Sequence, residues 1–400
     1  MEWIADRLGL IQPSPSISAM NRAKSLIAAG QDVCNMAAGE PDFPTPAFIV
    51  EAAHQALLAG ETRYTAVDGT QALKRAICDK FARENGLAVT PDQVSVGAGA
   101  KQVLYNALTC SVNPGDEVIV PAPYWVSYPD IVRLNGGKPV FIATDAASGF
   151  KITPAQLRAA VGPRSKWLVL NSPNNPTGAV YSAAELRALG EELARHPQVR
   201  VLTDDIYEHL RYDDTPYFTF AQVNPELAAR TLTVNGVSKT YAMTGWRIGY
   251  ATGPRDLVKA MEKLQSQTSG NPAAVSQAAA LAALQAPMDF FAAWREEYRR
   301  RRDYIVGRLD GQYGLSCPTP AGAFYVYPSC AAHIGKRTPQ GRQIDNDSDF
   351  VMYLLDEFKV ATVQGAAYGV SPAFRISFAT SMQTIETACE RILQACRVLT

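Results

Sequence analysis

From about residue 46, short apolar runs alternate along the chain with longer stretches whose apolar positions recur at helical spacing. The apolar runs lie at 93–99, 116–123, 166–171, 199–205, 231–236 and 247–253. Few polar residues interrupt them, which is typical of strands that helices cover on both faces. The alternation therefore predicts a wound α/β fold with a mostly parallel sheet.

The pattern changes beyond the last of these runs. Residues 255–308 are helical in pattern, with Pro272 as a break, and strand-like runs return after Leu315. We interpret the region from about 291 as a second, smaller α+β domain. The predicted division is an N-terminal arm with part of the small domain at 1–46, a large domain at 47–290 and the small C-terminal domain at 291–400.

Two polar stretches stand out in the second half of the chain. The basic stretch EEYRRRRDY at 296–304 is interpreted as the solvated face of a helix. The stretch 335–349 has the composition of a loop and is interpreted as a surface insertion, with a position beside the active site as the alternative.

Composition narrows the class of ligand. The chain has 400 residues, with 38 basic against 38 acidic side chains and a pI near 6.9, so no global field favours nucleic acid or an anionic membrane. Glu2 and Asp6 stand where a secretory signal would carry basic charge, and no apolar run approaches the length of about 18 residues that spans a bilayer. We expect a soluble, cytoplasmic protein that acts on small molecules.

The cysteines and histidines argue against disulfide and metal chemistry. The seven cysteines are scattered and include no C-x-x-C pair, and the four histidines show no H-E-x-x-H spacing. We therefore expect buried free thiols and no bound metal, and neither metal-dependent hydrolysis nor Ser-His catalysis.

A glycine-containing turn lies where the first predicted strand ends and a helix begins. Gly97 and Gly99 would let backbone amides at the helix start face a phosphate without interference from a Cβ atom. An ordinary tight turn would use the same glycines. Gln102 occupies the last glycine position of G-x-G-x-x-G, and Lys101 does not fit a P-loop, which argues against an NAD-dependent dehydrogenase.

Polar residues follow two other predicted strands, and ligands of a wound sheet bind at the carboxyl ends of its strands. Asp204 and Tyr207 are close enough in sequence to face one planar ligand, although a capped turn into a helix is the alternative. Asn175 lies in a rigid polar loop that contains two prolines. It is a candidate hydrogen-bond donor to the same ligand.

The most informative segment is VNGVSKTYAMTGWRIGY at 234–250. A lysine such as Lys239 would by itself be interpreted as a surface residue. Its neighbours reverse that interpretation, because Ser238 and Arg247 offer a hydroxyl and a guanidinium that suit a phosphate dianion. They stand beside an amine that can attack an aldehyde.

With PYWVSYP at 123–129 and NSPNNPTG at 171–178, this segment completes a set of motifs. Together and in this order, they make the chain resemble the fold-type I, class I aminotransferases of the aspartate aminotransferase family over almost its full length. The likeness is strongest to a bacterial subgroup. It implies the fold-type I architecture, pyridoxal 5'-phosphate as cofactor, and a homodimer with shared active sites.

The resemblance implies a role for each side chain around the cofactor ring. Lys239 becomes the Schiff-base lysine and proton carrier, and Asp204 becomes the partner of the pyridine nitrogen. Tyr207 and Asn175 become the donors to the ring oxygen, and Trp125 stacks on the ring. A carboxylate beside the pyridine nitrogen keeps it protonated, so the ring can accept the electrons released at the substrate Cα.

The resemblance also implies how the phosphate and the α-carboxylate are held. The phosphate contacts are Ser238, Arg247 and the backbone around Gly99, Ala100 and Lys101, with Tyr64 reaching the phosphate of the neighbouring subunit. Arg375 would bind the substrate carboxylate through two parallel hydrogen bonds, with Gly39 closing over it, beside Trp125 and Asn175.

The expected substrates are aspartate or glutamate with 2-oxoglutarate or oxaloacetate, converted by ping-pong kinetics. Lys101 resembles the subgroup lysine that faces a distal carboxylate, with Ser16 and the turn 269–271 of the partner chain nearby. Its alternative role is to neutralise the cofactor phosphate. Broader specificity for aromatic substrates or prephenate stays open, although subgroup members that accept prephenate tend to carry a basic residue at the position of Gln12.

The same motifs are compatible with two further functions. A lyase or decarboxylase would use the same cofactor residues, and a regulatory binding module would keep the fold without activity.

One departure from the better-known family members is Tyr128, which stands where they carry a histidine beside the aspartate that partners the ring nitrogen.

Overall fold

The computed structural model describes residues 3–400. Its α-helices are α1 (Pro15–Ala28), α2 (Ala47–Leu58), α3 (Gln71–Asn85), α4 (Ala100–Ser111), α5 (Ser127–Leu134), α6 (Pro154–Ala160), α7 (Ala183–Ala194), α8 (Phe220–Val223), α9 (Arg255–Thr268), α10 (Ala274–Gln285), α11 (Asp289–Leu309), α12 (Asp347–Phe358) and α13 (Met382–Val398). Its strands are β1 (Cys34–Asn35), β2 (Val94–Gly97), β3 (Glu117–Ala122), β4 (Lys138–Ala143), β5 (Ser165–Asn171), β6 (Arg200–Asp204), β7 (Thr231–Gly236), β8 (Gly249–Thr252), β9 (Tyr325–Val326), β10 (Val360–Ala361), β11 (Val363–Gln364) and β12 (Phe374–Ser377).

A seven-stranded sheet forms the centre of the large domain, in the order β2-β8-β7-β6-β5-β3-β4. The strand β8 runs antiparallel to both of its neighbours, and the other adjacent pairs are parallel. The predicted apolar runs correspond to β2, β3, β5, β6, β7 and β8. The mostly parallel wound sheet is therefore confirmed.

Helices cover both faces of this sheet, because successive side chains of a strand point to opposite sides. On β5, Trp167 and Val169 share an apolar cluster with α4 and α5. The alternate residues Leu168 and Leu170 pack with α6 and α7 on the other side. This burial on both faces is the reason why the central strands show no polar alternation.

The strand β4 was not predicted from the hydrophobic pattern. It begins with Lys138 and Pro139 and lies at the edge of the sheet. Edge strands tolerate charged residues and proline because one side of the strand needs no hydrogen-bonded partner. A search for continuous apolar runs therefore misses this strand.

The C-terminal region forms a second, smaller layer of strands and helices. The strands β11, β12 and β9 make an antiparallel sheet. The short strand β1 pairs in parallel with β10, and Cys34 and Met36 share the apolar cluster of α11, α12 and α13. The N-terminal segment thus packs against the C-terminal region, while the exact boundaries between the domains stay a prediction.

The interpretation of 296–304 as a solvated helix face is wrong for one side of α11. Arg301 is 5% exposed and donates to Asp42 at 2.8 Å, and Arg302 is 2% exposed and donates to Asp213 at 3.0 Å. Buried guanidinium groups require such partners because an unpaired charge is costly to desolvate. Consecutive helical residues point to different sides, and a run of charges does not reveal which side is covered.

All seven cysteines are free, but Cys78 and Cys110 are only half-buried, so the expectation of buried thiols is wrong for these two. The stretch 335–349 contains a bridge between Arg337 and Gln343 and ends in the first turn of α12. Within residues 3–400, no helix is long and apolar enough to cross a membrane.

Candidate active site

A cavity of about 310 Å³ lies at the carboxyl ends of the central strands. Asn171 ends β5, Asp204 ends β6 and Lys239 follows β7, and all three line the cavity. Ligands of wound sheets bind at this edge because the strand ends and the following loops converge there. The predicted residues that line the cavity are Ser16, Gly39, Ala100, Lys101, Trp125, Asn175, Asp204, Tyr207, Ser238, Lys239, Arg247 and Arg375.

Lys239 extends its amine into this cavity, where Nζ donates to the backbone oxygen of Gly39 at 2.6 Å. Burial lowers the pKa of Lys239 from the ordinary lysine value of 10.5 to about 8, and the nearby charges of Arg375 and Arg247 act in the same direction. More of the amine is therefore unprotonated near neutral pH than in an ordinary lysine. An unprotonated amine is the form that attacks an aldehyde.

Asp204 presents a fixed carboxylate to the cavity. Its Oδ2 accepts a hydrogen bond from Tyr128 Oη at 2.6 Å, and its Oδ1 accepts the backbone N–H of Ile206 at 3.3 Å. Burial raises the pKa of Asp204, and the two hydrogen bonds oppose that shift. Such a carboxylate can hold the proton of a ring nitrogen. The residue that departs from the family pattern, Tyr128, therefore contacts this carboxylate directly.

Tyr207 and Arg375 meet through a residue that sequence reasoning did not single out. Tyr207 Oη lies 2.8 Å from Tyr325 Oη, and the Arg375 guanidinium lies 4.3 Å from the centre of the Tyr325 ring. Arg375 donates from Nη1 to Asn175 Oδ1 at 3.0 Å and from Nη2 to the backbone oxygen of Ala37 at 2.7 Å. Its buried Nε has no hydrogen-bond partner among the described residues, which leaves a donor for a ligand oxygen.

The start of α4 forms an anion site together with Arg247. Gly99 precedes the helix with φ 86°, and a Cβ atom there would lie 2.0 Å from Arg247 Nη2, so only glycine lets the guanidinium approach the helix start. Arg247 itself has φ 55°, an unfavourable conformation for a non-glycine residue that is typical of functional sites. The free amides of a helix N-terminus and a guanidinium together suit a phosphate.

Lys101 lies at the edge of this anion site. Its Nζ is 4.8 Å from the centre of the Trp125 ring, and burial, together with the charge of Arg247, lowers its pKa. Ser16 also reaches the cavity, where its Oγ lies 3.1 Å from Tyr368 Oη. A cation at Lys101 therefore lies over an aromatic face at the edge of the cavity.

Some predicted residues do not line the cavity of one chain. Tyr64 is 98% exposed, and the turn 269–271 is also outside the lining. Gly99 is also outside the lining, whereas the next residue, Ala100, belongs to it. Sequence reasoning did not single out Asn171 or Tyr325, which do line the cavity. Asn171 is the first residue of the NSPNNPTG motif, so that motif was the available signal, whereas Tyr325 appeared only as part of a strand-like run.

Comparison with known proteins decides the family. The profile of the aminotransferase class I and II family matches residues 31–392. The chain belongs to this family. An aspartate/prephenate aminotransferase of Cereibacter sphaeroides is 56% identical over 396 residues, 99% of each chain, and an aspartate aminotransferase of Rhizobium meliloti is 53% identical, covering 98% of this chain and 96% of the relative.

Solved structures of aminotransferases agree with the fold. The crystal structure of the aspartate aminotransferase from Rhizobium meliloti superposes with a TM-score of 0.97 at 52% identity and covers 100% of both chains. The aspartate aminotransferase from Thermus thermophilus with maleate superposes with a TM-score of 0.92 at 40% identity, covering 99% of this chain and 100% of that one. The protein is a pyridoxal-phosphate-dependent aminotransferase with the fold-type I architecture.

The residues of the cavity fit that cofactor. The amine of Lys239 suits its aldehyde, the buried carboxylate of Asp204 suits its ring nitrogen, and the start of α4 with Arg247 suits its phosphate. The unpartnered Nε of Arg375 adds a donor for the carboxylate of an amino acid. One cavity therefore contains a complementary group for each part of the cofactor and for the substrate.

Proposed function

We propose that this aminotransferase moves the amino group of aspartate or glutamate to oxaloacetate or 2-oxoglutarate in a ping-pong sequence. The observation that carries the proposal is that Arg375 and Lys101 line the same cavity. A dicarboxylate needs two cationic groups, one for each carboxylate. An amino acid with an apolar side chain needs only the group that binds its α-carboxylate. The relatives from Cereibacter sphaeroides and Rhizobium meliloti carry aspartate in their names, which supports the same substrate class.

Bound pyridoxal phosphate supplies an aldehyde that takes the amino group and a ring that accepts the electrons released at Cα. Lys239 would provide the amine that holds the cofactor aldehyde, with loss of water, and this amine, once displaced by the substrate amino group, would carry the proton of the substrate Cα. Asp204 keeps the ring nitrogen protonated, and Tyr128 orients Asp204 through its hydroxyl. Tyr207 donates a hydrogen bond to the ring oxygen.

Arg375 and Asn175 divide the contacts to substrate and cofactor between them. Asn175 Oδ1 is taken up by Arg375 Nη1, so the amide nitrogen of Asn175 remains the end that donates to the ring oxygen. The substrate carboxylate lies against Nε and an Nη of Arg375, which stacks on Tyr325 and is therefore fixed before the substrate arrives. Gly39 borders this position. Its backbone oxygen accepts the hydrogen bond from Lys239 Nζ.

The substitution Lys101→Met tests the dicarboxylate assignment, because it removes the charge and keeps most of the chain length. We expect kcat/KM for aspartate to fall about 30-fold, the size of a lost charge-assisted contact, while kcat/KM for phenylalanine changes by less than about threefold. Steady-state kinetics with 2-oxoglutarate as acceptor measure both values. The exposed Lys138, replaced in the same way, is the control. An aspartate advantage that survives Lys101→Met would overturn the assignment.

A broader specificity is the second candidate. Ile17, Met20 and Leu104 line the same cavity and offer apolar contacts to a larger side chain. The Cereibacter sphaeroides relative carries prephenate in its name, whereas Gln12 of this chain stands at the position where the resemblance implies a basic residue for prephenate-accepting members. A kcat/KM for prephenate equal to that for 2-oxoglutarate in the same assay would favour this candidate.

The proposal includes a homodimer with shared sites. Tyr64 is 98% exposed, and Phe48, Val50 and Leu58 leave apolar surface exposed on α2 in the single chain. These features suit a surface that a second copy covers, with Tyr64 reaching the phosphate in the partner's site. A cytoplasmic location completes the proposal and is supported by the seven free cysteines, which are typical of a reducing compartment.

Mixing two inactive variants tests the shared site. In a mixed dimer of Tyr64→Ala and Lys239→Ala, one site receives Lys239 from the first chain and Tyr64 from the second, so it carries neither substitution. We expect transaminase activity to reappear after subunit exchange. Each variant exchanged with itself is the control. If mixed dimers, demonstrated by native mass spectrometry of differently tagged chains, stay inactive, the sites are not shared in this way.

A further inference from the structure

A buried polar cluster lies behind the segments that carry Lys239 and Tyr207. Its members come from three parts of the chain, namely the end of α3, the residues after β6 and the residues around the end of β7. They are Lys80, Glu84, Asn85, Glu208, His209, Asn235 and Thr240. None of these residues lines the active-site cavity, so binding and catalysis in the cavity do not account for them.

Glu208 is the centre of the cluster. It is ion-paired with Lys80, its Oε2 accepts from Asn85 Nδ2 at 2.8 Å, and its Oε1 accepts from Asn235 Nδ2 at 2.6 Å. Lys80 is only 1% exposed and also donates to Asn85 Oδ1 at 2.7 Å. A buried ion pair with this many partners is fully satisfied, which makes its geometry well defined.

The cluster has the ligand types of a metal site but already contains its cation. One ligand atom each from Glu84, Glu208 and His209 lie within 4.8 Å of one another. Lys80 Nζ is paired with Glu208 and lies 3.5 Å from Glu84 Oε2, so its ammonium group balances the carboxylates. A structural role therefore fits this cluster better than a metal site.

His209 extends the cluster to the residue after Lys239. Its Nε2 lies 3.0 Å from Glu84 Oε2, and its Nδ1 lies 3.0 Å from Thr240 Oγ1. A carboxylate only accepts hydrogen bonds, so Nε2 carries a proton and donates to Glu84, while Nδ1 shares a hydrogen bond with the hydroxyl of Thr240.

Charge favours this arrangement. Burial alone would raise the pKa of Glu84, but the hydrogen bond from His209 and the charge of Lys80 lower it to about 2. Burial opposes ionisation of Glu208 as well, and the charges of Lys80 and His209 lower its pKa in spite of burial. Both carboxylates are therefore ionised at neutral pH and hold their donors firmly.

The cluster thus connects the two segments whose relative position matters for proton transfer. Glu208 and His209 directly follow Tyr207, and Thr240 directly follows Lys239. Asn235 connects the cluster to the end of β7 as well, because its Oδ1 accepts a hydrogen bond from the backbone N–H of Gly236 at 2.7 Å. Misplacing a catalytic group by a fraction of an ångström is costly, because its proton must be transferred along a defined line.

We propose that the Glu84-His209-Thr240 chain, anchored on Lys80 and Glu208, positions Lys239 against the cofactor by holding the Lys239 segment to the Tyr207 segment. Its members are positioning residues, since they touch neither substrate nor cofactor. The inference rests on the proposed function, because it assigns Lys239 the covalent and proton-carrying roles. It adds a hydrogen-bonded chain outside the cavity lining on which the placement of that amine depends.

The hydroxyl of Thr240 is the link that can be removed with the least disturbance. In cofactor-loaded enzyme, Thr240→Val keeps the shape of the side chain and deletes the hydrogen bond, whereas Thr240→Ser keeps the hydroxyl. We expect Thr240→Val to lower kcat about tenfold with KM for aspartate within about twofold, and Thr240→Ser to restore kcat to within about threefold. Thr240→Ala serves as a second hydroxyl-free variant if Val disturbs folding, which circular dichroism reports.

A spectroscopic readout separates positioning from general destabilisation. We expect the midpoint of the pH titration of bound-cofactor absorbance to move by at least about 0.5 pH unit in Thr240→Val and to return in Thr240→Ser. Thr252→Val is the matched control, because Thr252 is also buried, its hydroxyl has no partner among the described residues, and it pairs with Thr233, away from the active-site end of β7. This control should titrate like the wild type.

The outcomes distinguish a failure of the positioning chain from a failure of the proposed function. Wild-type enzyme that forms no borohydride-reducible link at Lys239 would contradict the proposed function itself. If the wild type forms that link and Thr240→Val titrates and turns over like it, the positioning chain is disproved while the function stands. Equal effects of Val and Ser, or of Thr240→Val and Thr252→Val, would also disprove it, since packing alone would then explain the change.

Discussion

Lys239→Ala is expected to lower transamination at least about 10⁴-fold, the largest effect of any single substitution in this chain. The substitution removes both the covalent attachment and the proton carrier. The helix start at Gly99 and the guanidinium of Arg247 are untouched, so the variant should still bind pyridoxal phosphate without a covalent link. Turnover of aspartate with 2-oxoglutarate and equilibrium binding of the cofactor are the measurements.

The covalent link itself is visible by reduction and mass mapping. Borohydride treatment of the loaded wild type should leave the cofactor mass on the peptide that contains Lys239, and the Lys239→Ala variant should carry no such adduct. Lys101→Met is the control, because Lys101 lines the same cavity and yet has no covalent role in the proposal. Turnover in Lys239→Ala within about tenfold of the wild type, or an adduct on Lys101, would refute the assignment.

Replacing Asp204 with Ala should raise the barrier of the chemical step by at least about 3 kcal/mol, or about 150-fold in kcat. The carboxylate is buried, fixed by Tyr128, and stands where the cofactor's ring nitrogen is proposed to lie. Without it, the ring nitrogen loses its proton and accepts electrons from Cα less well. Single-turnover kinetics isolate this step from product release.

The neighbouring Asp205 provides a matched control for Asp204. It is also buried, but it follows the end of β6 and does not line the cavity. Burial raises the pKa of Asp205 to about 7, so an amide resembles the protonated form of its side chain. Asp205→Asn is therefore expected to change kcat by less than about fivefold. Losses of equal size in both variants would mean that Asp204 acts through the fold and not through the ring.

The sheet and the polar residues at its strand ends are predictable from local sequence. Central strands such as β5 and β7 are buried on both faces, so they appear as continuous apolar runs, and the residues that follow them converge in any parallel sheet. Local sequence therefore predicts that Asp204 and Tyr207 face one planar ligand and that Lys239 stands beside phosphate-binding groups, whereas the roles of Asp204 and Lys239 on one cofactor are what the resemblance implies. The motifs around them then carried the likeness to aminotransferases.

The contacts between distant residues that complete the site arise from tertiary packing. Tyr128 donates to Asp204, and Tyr325 meets Tyr207, across 76 and 118 positions of sequence. The burial of Arg301 against Asp42 likewise depends on packing between segments that are 259 positions apart. A periodic pattern describes which side of an element is apolar, but not which polar group on another element satisfies a buried charge. Partners of that kind are fixed only when the chain has folded.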